Sequence, residues 1–207
     1  MLESALSLGL VLGLRHASDA DHVCAIASLL RSGQGVRAAV RTAFLWSLGH
    51  SFTFFAVGAV LVGGRLSVPE AWELVMELLV SALLVTLGAV QWRHADCPLP
   101  SGPESARPRS WRVVLVGIVH GLAGSAGIAL LALSTVHERL PAFLFLLLFG
   151  LGVSGGMVLL TVLLSLPLGF VVRNSERWRA RILKLASALG IGLGVWMGLS
   201  GLRALVG

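Results

Sequence analysis

Charged side chains are scarce in these 207 residues, 13% of the chain against about a quarter in an ordinary soluble domain. With 56% hydrophobic residues and a mean hydropathy of +0.89, that scarcity excludes a water-soluble globule. It also excludes disorder, which needs low hydrophobicity and high net charge. Cysteine is nearly absent: Cys24 sits in an apolar run and Cys97 in a polar one, with no metal-type C-x-x-C and no framework for structural disulfides. There is no G-x-x-x-x-G-K-[ST] to cradle a phosphate and no H-E-x-x-H, so neither a nucleotide site nor the commonest zinc-hydrolase signature is present. Acidic residues number 10 against 16 basic, giving a formal charge of +6 and a pI near 11.2. In a soluble chain that excess would suggest nucleic acid. Here the basic residues lie between long apolar runs, where they report membrane topology, and no nucleic-acid partner is expected.

Six segments are long and apolar enough for a spanning helix, which needs about 20 such residues. They run from Ala5 to Leu30, Ala38 to Val62, Leu74 to Trp92, Val113 to Leu133, Ala142 to Val172 and Ile182 to Val206. The expectation is an all-α polytopic membrane protein, one domain over 1–207, with the polar stretch 93–112 as its main loop. Pro98, Pro100, Pro103 and Pro108 mark that stretch as irregular. The fifth segment exceeds one span and carries Gly150, Gly152, Gly155, Gly156 and Pro167, so it either tilts or breaks at the glycines. Leu6 to Leu14 resembles a signal-peptide core, but no basic residue precedes it and no small-x-small site follows; it is read as part of the first helix.

Twelve of the 16 basic residues fall after segments one, three and five: Arg31, Arg37 and Arg41; Arg93, Arg107, Arg109 and Arg112; Arg173, Arg177, Arg179, Arg181 and Lys184. The opposite side has Arg65, Arg139 and Arg203, while Arg15 lies within a span. The positive-inside rule then places those loops in the cytoplasm and both termini outside.

An internal repeat is also present. Gly13-Leu14-Arg15-His16 is echoed by Gly117-Ile118-Val119-His120, Leu48-Gly49-His50-Ser51 by Leu151-Gly152-Val153-Ser154, and Ser81-Ala82-Leu83 by Ser187-Ala188-Leu189. Single matches mean little in a chain rich in Leu, Gly and Ala. Three in order at nearly constant offset predict an inverted 3+3 repeat with halves 4–92 and 112–207, since an odd number of spans reverses the second half. Transporters built this way place the substrate where the halves meet, near the midplane.

The densest polar cluster is His16-Ala17-Ser18-Asp19-Ala20-Asp21-His22, preceded by Arg15 and set inside the first apolar run. A charged side chain at the centre of a spanning helix costs roughly 2.5–3.5 kcal/mol on insertion scales. A purely structural account makes Arg15, Asp19 and Asp21 a buried ion-pair cluster, with the histidines bonded to neighbouring helices. The insertion cost weighs instead for function. On one continuous helix, His16, Asp19 and His22 share an arc of roughly 120°, Asp21 points elsewhere, and Arg15 reaches Asp19. Imidazole with carboxylate suits Ni, Co or Zn, whereas Mg and Ca prefer oxygen alone.

His50, beside Ser51 and Thr53, lies mid-span in the second segment, and His120 opens His120-Gly121-Leu122-Ala123-Gly124-Ser125-Ala126-Gly127 in the fourth. Interhelical hydrogen bonding alone would account for His50, and helix packing for the glycines. Through the repeat, however, His120 occupies the position of His16. His94, Asp96 and Cys97, the outer-loop pair His137 and Glu138, and Glu73 with Glu77 have sufficient explanations in solvation and capping.

The H-A-x-D-A-D-H stretch from His16 to His22 closely resembles the H-x4-D-H signature of the nickel/cobalt transporter (NiCoT) family and its superfamily of urease-associated nickel permeases. Leu48 to Ser51 with Thr53 looks like that family's second helix motif, and His120 to Ala126 is similar to a motif of the shorter, urease-associated branch. The resemblance covers most of the chain, although typical members follow an eight-helix plan and six spans are read here. It implies transport of Ni2+ or Co2+ across the bacterial cytoplasmic membrane. The metal residues it and the repeat together point to are His16, Asp19, Asp21, His22, His50 and His120, with Arg15, Ser51, Thr53 and Ser125 beside the path or supporting the ligands.

Two function classes follow. One is a secondary permease for a divalent transition metal, in which the metal is cargo, no resident cofactor is needed, and either uptake or efflux fits a midplane site. The other is an intramembrane metal-dependent hydrolase, since two histidines with a carboxylate also describe a catalytic zinc site; no separate general base is evident for it. The sequence therefore favours a non-enzymatic nickel permease working in the direction of uptake, with the lipid bilayer as its partner and no nucleotide.

Overall fold

The computed structural model describes residues 2–30, 35–64, 70–97, 110–122 and 138–206. Ser125, Gly124, Gly127, His137, Arg65 and most of the stretch expected to be a loop lie outside them. Seven helices make up the described regular structure: α1 Leu2–His16, α2 Ala20–Leu29, α3 Val36–Gly64, α4 Glu70–His94, α5 Ser110–Gly121, α6 Arg139–Asn174 and α7 Glu176–Val206. The described residues hold no strand, in keeping with the all-α expectation. Four helices contain stretches long and apolar enough to cross a membrane: Val36–Val60, Leu74–His94, Leu140–Leu166 and Glu176–Ala204. Large apolar side chains such as Phe52, Val60, Leu140, Leu163, Leu185 and Trp196 stand exposed on their outer faces, as hydrocarbon-facing surfaces require.

The first span, expected as one helix from Ala5 to Leu30, is two. The backbone bonds tighten after His16: Ser18 N donates to Arg15 O (2.9 Å) and Asp19 N to His16 O (3.1 Å). Asp19 then turns extended, with ψ at 148°, and α2 starts at Ala20. Ser18 and Asp19 are the residue types whose short polar side chains compete with helical bonding. The Ser18 hydroxyl donates to Arg15 O at 2.6 Å, and Asp19 takes the N-cap position that Asp favours. With 15 and 10 residues rising about 1.5 Å each, α1 and α2 are half-spans that meet at the polar cluster. α5 ends one residue after His120. The sixth helix, by contrast, runs unbroken for 36 residues through Gly150 to Gly156 and Pro167.

The helices pack in pairs. α1 lies along α6, α3 along both α5 and α6, and α4 along α7, with α2 resting on α7 and α4. Lipid tails are as apolar as leucine, so close van der Waals approach at small residues, rather than water exclusion, holds such pairs. At Gly13 an added Cβ would run into the carbonyl of Phe149, and at Gly152 into that of Leu10. At Gly117 it would meet the carbonyl of Trp46, and at Gly49 that of Val114. Between α4 and α7, Gly88 approaches Ser187 O and Gly194 approaches Ser81 O. The buried core, formed by Trp46, Phe54, Leu84, Phe145, Phe149 and Met157 among others, runs along these seams. At the far end of α4, buried Arg179 donates to Cys97 O at 2.7 Å and Lys184 pairs with Asp96 at 2.7 Å.

Backbone, not a movable side chain, meets Gly13 and Gly117, so Gly13→Leu and Gly117→Leu should each cost about 1–3 kcal/mol in overpacking. Gly155→Leu, with nothing within 4 Å of its Cβ position, should leave stability unchanged. The apparent thermal midpoint of the purified, detergent-solubilised protein checks both; equal midpoints for all three variants would contradict the packing described.

Candidate metal site

Four histidines from four helices meet where α1 gives way to α2. His16 is the last residue of α1, His22 lies in the first turns of α2, His50 is in the middle of α3 and His120 is near the end of α5. Each is at most 5% exposed, as is Asp21. Ring centroids lie 4.5 Å apart for His16 and His22, 4.6 Å for His22 and His120, 5.0 Å for His22 and His50, and 5.5 Å for His16 and His50. His22 is thus the centre of the group. Gly117 and Gly121 let α5 approach the backbone of α3 around Trp46 and His50, which brings His120 and His50 into one layer.

The break in the first span decides which carboxylate joins them. On a continuous helix Asp19 would share the face of His16 and His22; the extended residue at position 19 changes the phase. Asp21 turns inward, its Oδ1 3.1 Å from Nδ1 of His22 and its Oδ2 3.2 Å from Nε2 of His120. Asp19 swings outward, with a side chain 39% exposed, and accepts from Nδ1 of His16 at 3.0 Å. Arg15, expected to reach Asp19, points to the exterior.

A carboxylate oxygen only accepts, so Nδ1 of His16 and of His22 donates in these contacts. The lone pair of each ring then sits on Nε2. Those two Nε2 atoms are buried without a hydrogen-bond partner, and so are both ring nitrogens of His50, both of His120, and Oδ2 of Asp21. The last of these lies within ion-pair distance of His120 but outside hydrogen-bond geometry. One buried unsatisfied polar atom costs about 1–3 kcal/mol; a neutral imidazole keeps one lone pair, so five of these seven atoms offer a lone pair and call for a partner that accepts it, which is what a cation does. Two three-donor sets arise, His16/His22/His50 and Asp21/His22/His120, each with its donor atoms within 4.8 Å of one another. Donors about 2.1 Å from a shared transition metal lie at most about 4.2 Å apart, so small side-chain adjustments close either set on an ion.

Of the other residues singled out in the sequence, Ser51 links α3 to α6 through Gly150 O and Ser154 Oγ, both at 3.3 Å. Thr53 bonds back to Gly49 O in its own helix. His94, Asp96 and Cys97 are exposed at the end of α4. Two aromatic residues that sequence reasoning passed over form the walls: Trp46, with its ring 5.6 Å from His22 and 5.5 Å from His120, and Phe149, 5.4 Å from His16. Trp46 stands one turn before His50, and that spacing was the available signal.

Residues 3–92 match the family model described as high-affinity nickel-transport protein (NicO). The chain is also 29% identical over 188 residues to the urease accessory protein UreH of Bacillus sp. (strain TB-90), covering 84% of this chain and 81% of that protein. No solved structure matches. Both matches bear out the resemblance read from His16 to His22 and from His50.

Asp21→Ala would strand Nδ1 of His22 in a buried pocket, a cost of about 1–3 kcal/mol, and would remove the carboxylate 3.2 Å from Nε2 of His120. Asp19→Ala exposes His16 Nδ1 where water reaches, and should cost clearly less. Thermal unfolding of the metal-free protein in detergent checks the order; a larger drop for Asp19→Ala would reverse the roles given to the two carboxylates.

Proposed function

We propose that this chain, a relative of the high-affinity nickel-transport proteins, is a multi-pass membrane permease for Ni2+, and not an enzyme. The observation that carries the reading is the buried pocket of histidines with Asp21, whose unpaired nitrogen and oxygen atoms converge between helices long enough to span a bilayer. Imidazole with one carboxylate is a borderline donor set that suits nickel and cobalt far better than magnesium or calcium. Co2+ is accordingly a second cargo. The metal ligands are His16, Asp21, His22, His50 and His120, with Asp19 orienting His16.

The ion arrives from the outer side, exchanges its waters for imidazole and carboxylate, and leaves inward. A negative interior favours that direction by about 2.3 kcal/mol per elementary charge per 100 mV. The two half-spans α1 and α2 are discontinuous at the pocket, which is how many secondary transporters build a midplane site. An inverted 3+3 repeat, halves 4–92 and 112–207, accounts for the paired packing. Gly13 on Phe149 and Gly117 on Trp46 are related by the sequence offset, as are Gly152 on Leu10 and Gly49 on Val114. The cytoplasmic membrane, with the basic loops inside and both termini outside, follows from the arginine distribution.

Accumulation of radiolabelled nickel in cells expressing the chain tests this. Wild type should accumulate nickel above the empty-vector level, unlabelled Co2+ should compete, and His22→Ala and Asp21→Ala should each lower uptake about 10-fold or more, as loss of a ligand or its support does. Equal accumulation by all three would refute the reading, and wild-type cells holding less nickel than the empty vector would reverse its direction.

A further inference from the structure

The five inward-facing side chains do not all lie close enough together to be one candidate donor set. Their donor atoms fall into two sets that could each hold an ion, His16/His22/His50 and Asp21/His22/His120, and the rings of His50 and His120 lie 6.1 Å apart, wider than either lies from His22 (5.0 and 4.6 Å). The sets share only His22, and the histidine particular to each comes from a different helix packed across the pocket: α3 supplies His50 and α5 supplies His120. Each set has its own unpartnered buried atoms, Nε2 of His16 and His22 with the nitrogens of His50 in one, and Oδ2 of Asp21 with the nitrogens of His120 in the other. The shared ring, His22, is edge-on to both His50 and His120, with interplanar angles of 73° and 86°. Its Nδ1 donates to Asp21 at 3.1 Å, which leaves the Nε2 lone pair as the atom that His22 offers in either set.

We propose that the pocket binds one divalent transition-metal ion at either of two adjacent, mutually exclusive positions that share His22, and that the ion passes from one to the other during transport. This rests on the permease reading and adds the path within it. An ion at the Asp21 position has a carboxylate and two imidazoles; at the His50 position it has three imidazoles. The two environments differ by one unit of charge while keeping His22 as a constant ligand, so the ion is handed over without being released into an apolar interior. A single deep sphere of five protein donors would instead hold the ion too tightly to leave. Phe149 beside His16 and Trp46 beside His22 and His120 wall the pocket on both sides and keep the step short.

The test uses the full-length protein, purified in detergent and reconstituted in lipid vesicles, with Ni2+ for affinity and transport and Co2+ for spectroscopy. His50→Gln and His120→Gln should each still bind one Ni2+ with affinity within about 10-fold of wild type, because one complete set survives, yet each should transport at least about 10-fold more slowly. His22→Gln should weaken binding about 100-fold or more. X-ray absorption of bound Co2+ should report three imidazoles in His120→Gln and two imidazoles with a carboxylate in His50→Gln. If both single variants lose binding as completely as His22→Gln, there is one sphere and the proposal is wrong. Wild-type transport by either variant removes that position from the path and also overturns it. The wild-type spectrum is a check independent of variant folding: two to three imidazoles per cobalt are expected, and four in one sphere overturns the proposal. Failure of the permease reading is distinct, since the wild type would then not move Ni2+ at all.

Discussion

Seven buried polar atoms without hydrogen-bond partners, five of them offering a lone pair, are a debt that hydrocarbon cannot settle, and the arrangement of the pocket follows from how they are held. Four imidazoles and a carboxylate stay in place because Asp21 contacts His22 and His120 at once, while Asp19 fixes His16 from the outside. The two hydrogen bonds, His16 to Asp19 and His22 to Asp21, each use one ring nitrogen and aim the other. A carboxylate behind a histidine sets the tautomer and the direction of its lone pair. Removing the break at Ala17 to Asp19 would undo this, since a continuous helix carries Asp21 away from His120. The short polar stretch is therefore both the cause of the helix break and the source of the chemistry that the break positions.

Glycines make the pocket small enough to work. A ring spacing of 4.5–5.0 Å around His22 requires α3 and α5 to touch through their backbones, and α1 to do the same with α6. Gly117 against Trp46 and His50, and Gly13 against Phe149 and Val153, supply those contacts. With a side chain at either glycine the helices would stand apart and the ring spacing around His22 would be lost. Packing and site are one construction here: Gly13 and Gly117, one turn before His16 and His120, are the residues that let those helices come close.

The histidines were legible in the sequence because hydrocarbon is unforgiving; His16, His22, His50 and His120 stand out against runs of Leu, Val and Gly. The all-helical plan was legible for the same reason, from hydropathy alone. What periodicity could not give was the phase after His16. A helical wheel assumes 100° per residue throughout, and the extended Asp19 violates that at one residue. The consequence is an exchange of roles, Asp21 turning to the histidines and Asp19 away from them. The signal was present in Ser18-Asp19, a pair typical of helix starts, but it lay inside an apolar run read as one span. The continuity of α6 through its glycines was equally hidden, since glycine marks both a break and a close contact. Ser51 bonded across to Gly150 and Ser154, and Gly152 packed on α1, identify close contact as the reason for that cluster.

The proposed repeat also explains why the donors gather on one side of the molecule. His16 and His120 correspond through it, as do Trp46 and Phe149, and each aromatic ring flanks the histidine supplied by the opposite half. The correspondence stops at His50, whose counterpart is Val153, fully buried in the core. A symmetric scaffold with identical chemistry in both halves would build two equivalent sites related by the axis, and a cation would gain nothing by moving between them. Replacing one histidine of the pair by valine leaves a single pocket with unequal surroundings, three imidazoles toward α3 and a carboxylate toward α5. In the proposed transport step, helices related by the repeat would provide two ways of closing around the ion, while the asymmetric donors would give the ion a different environment in each.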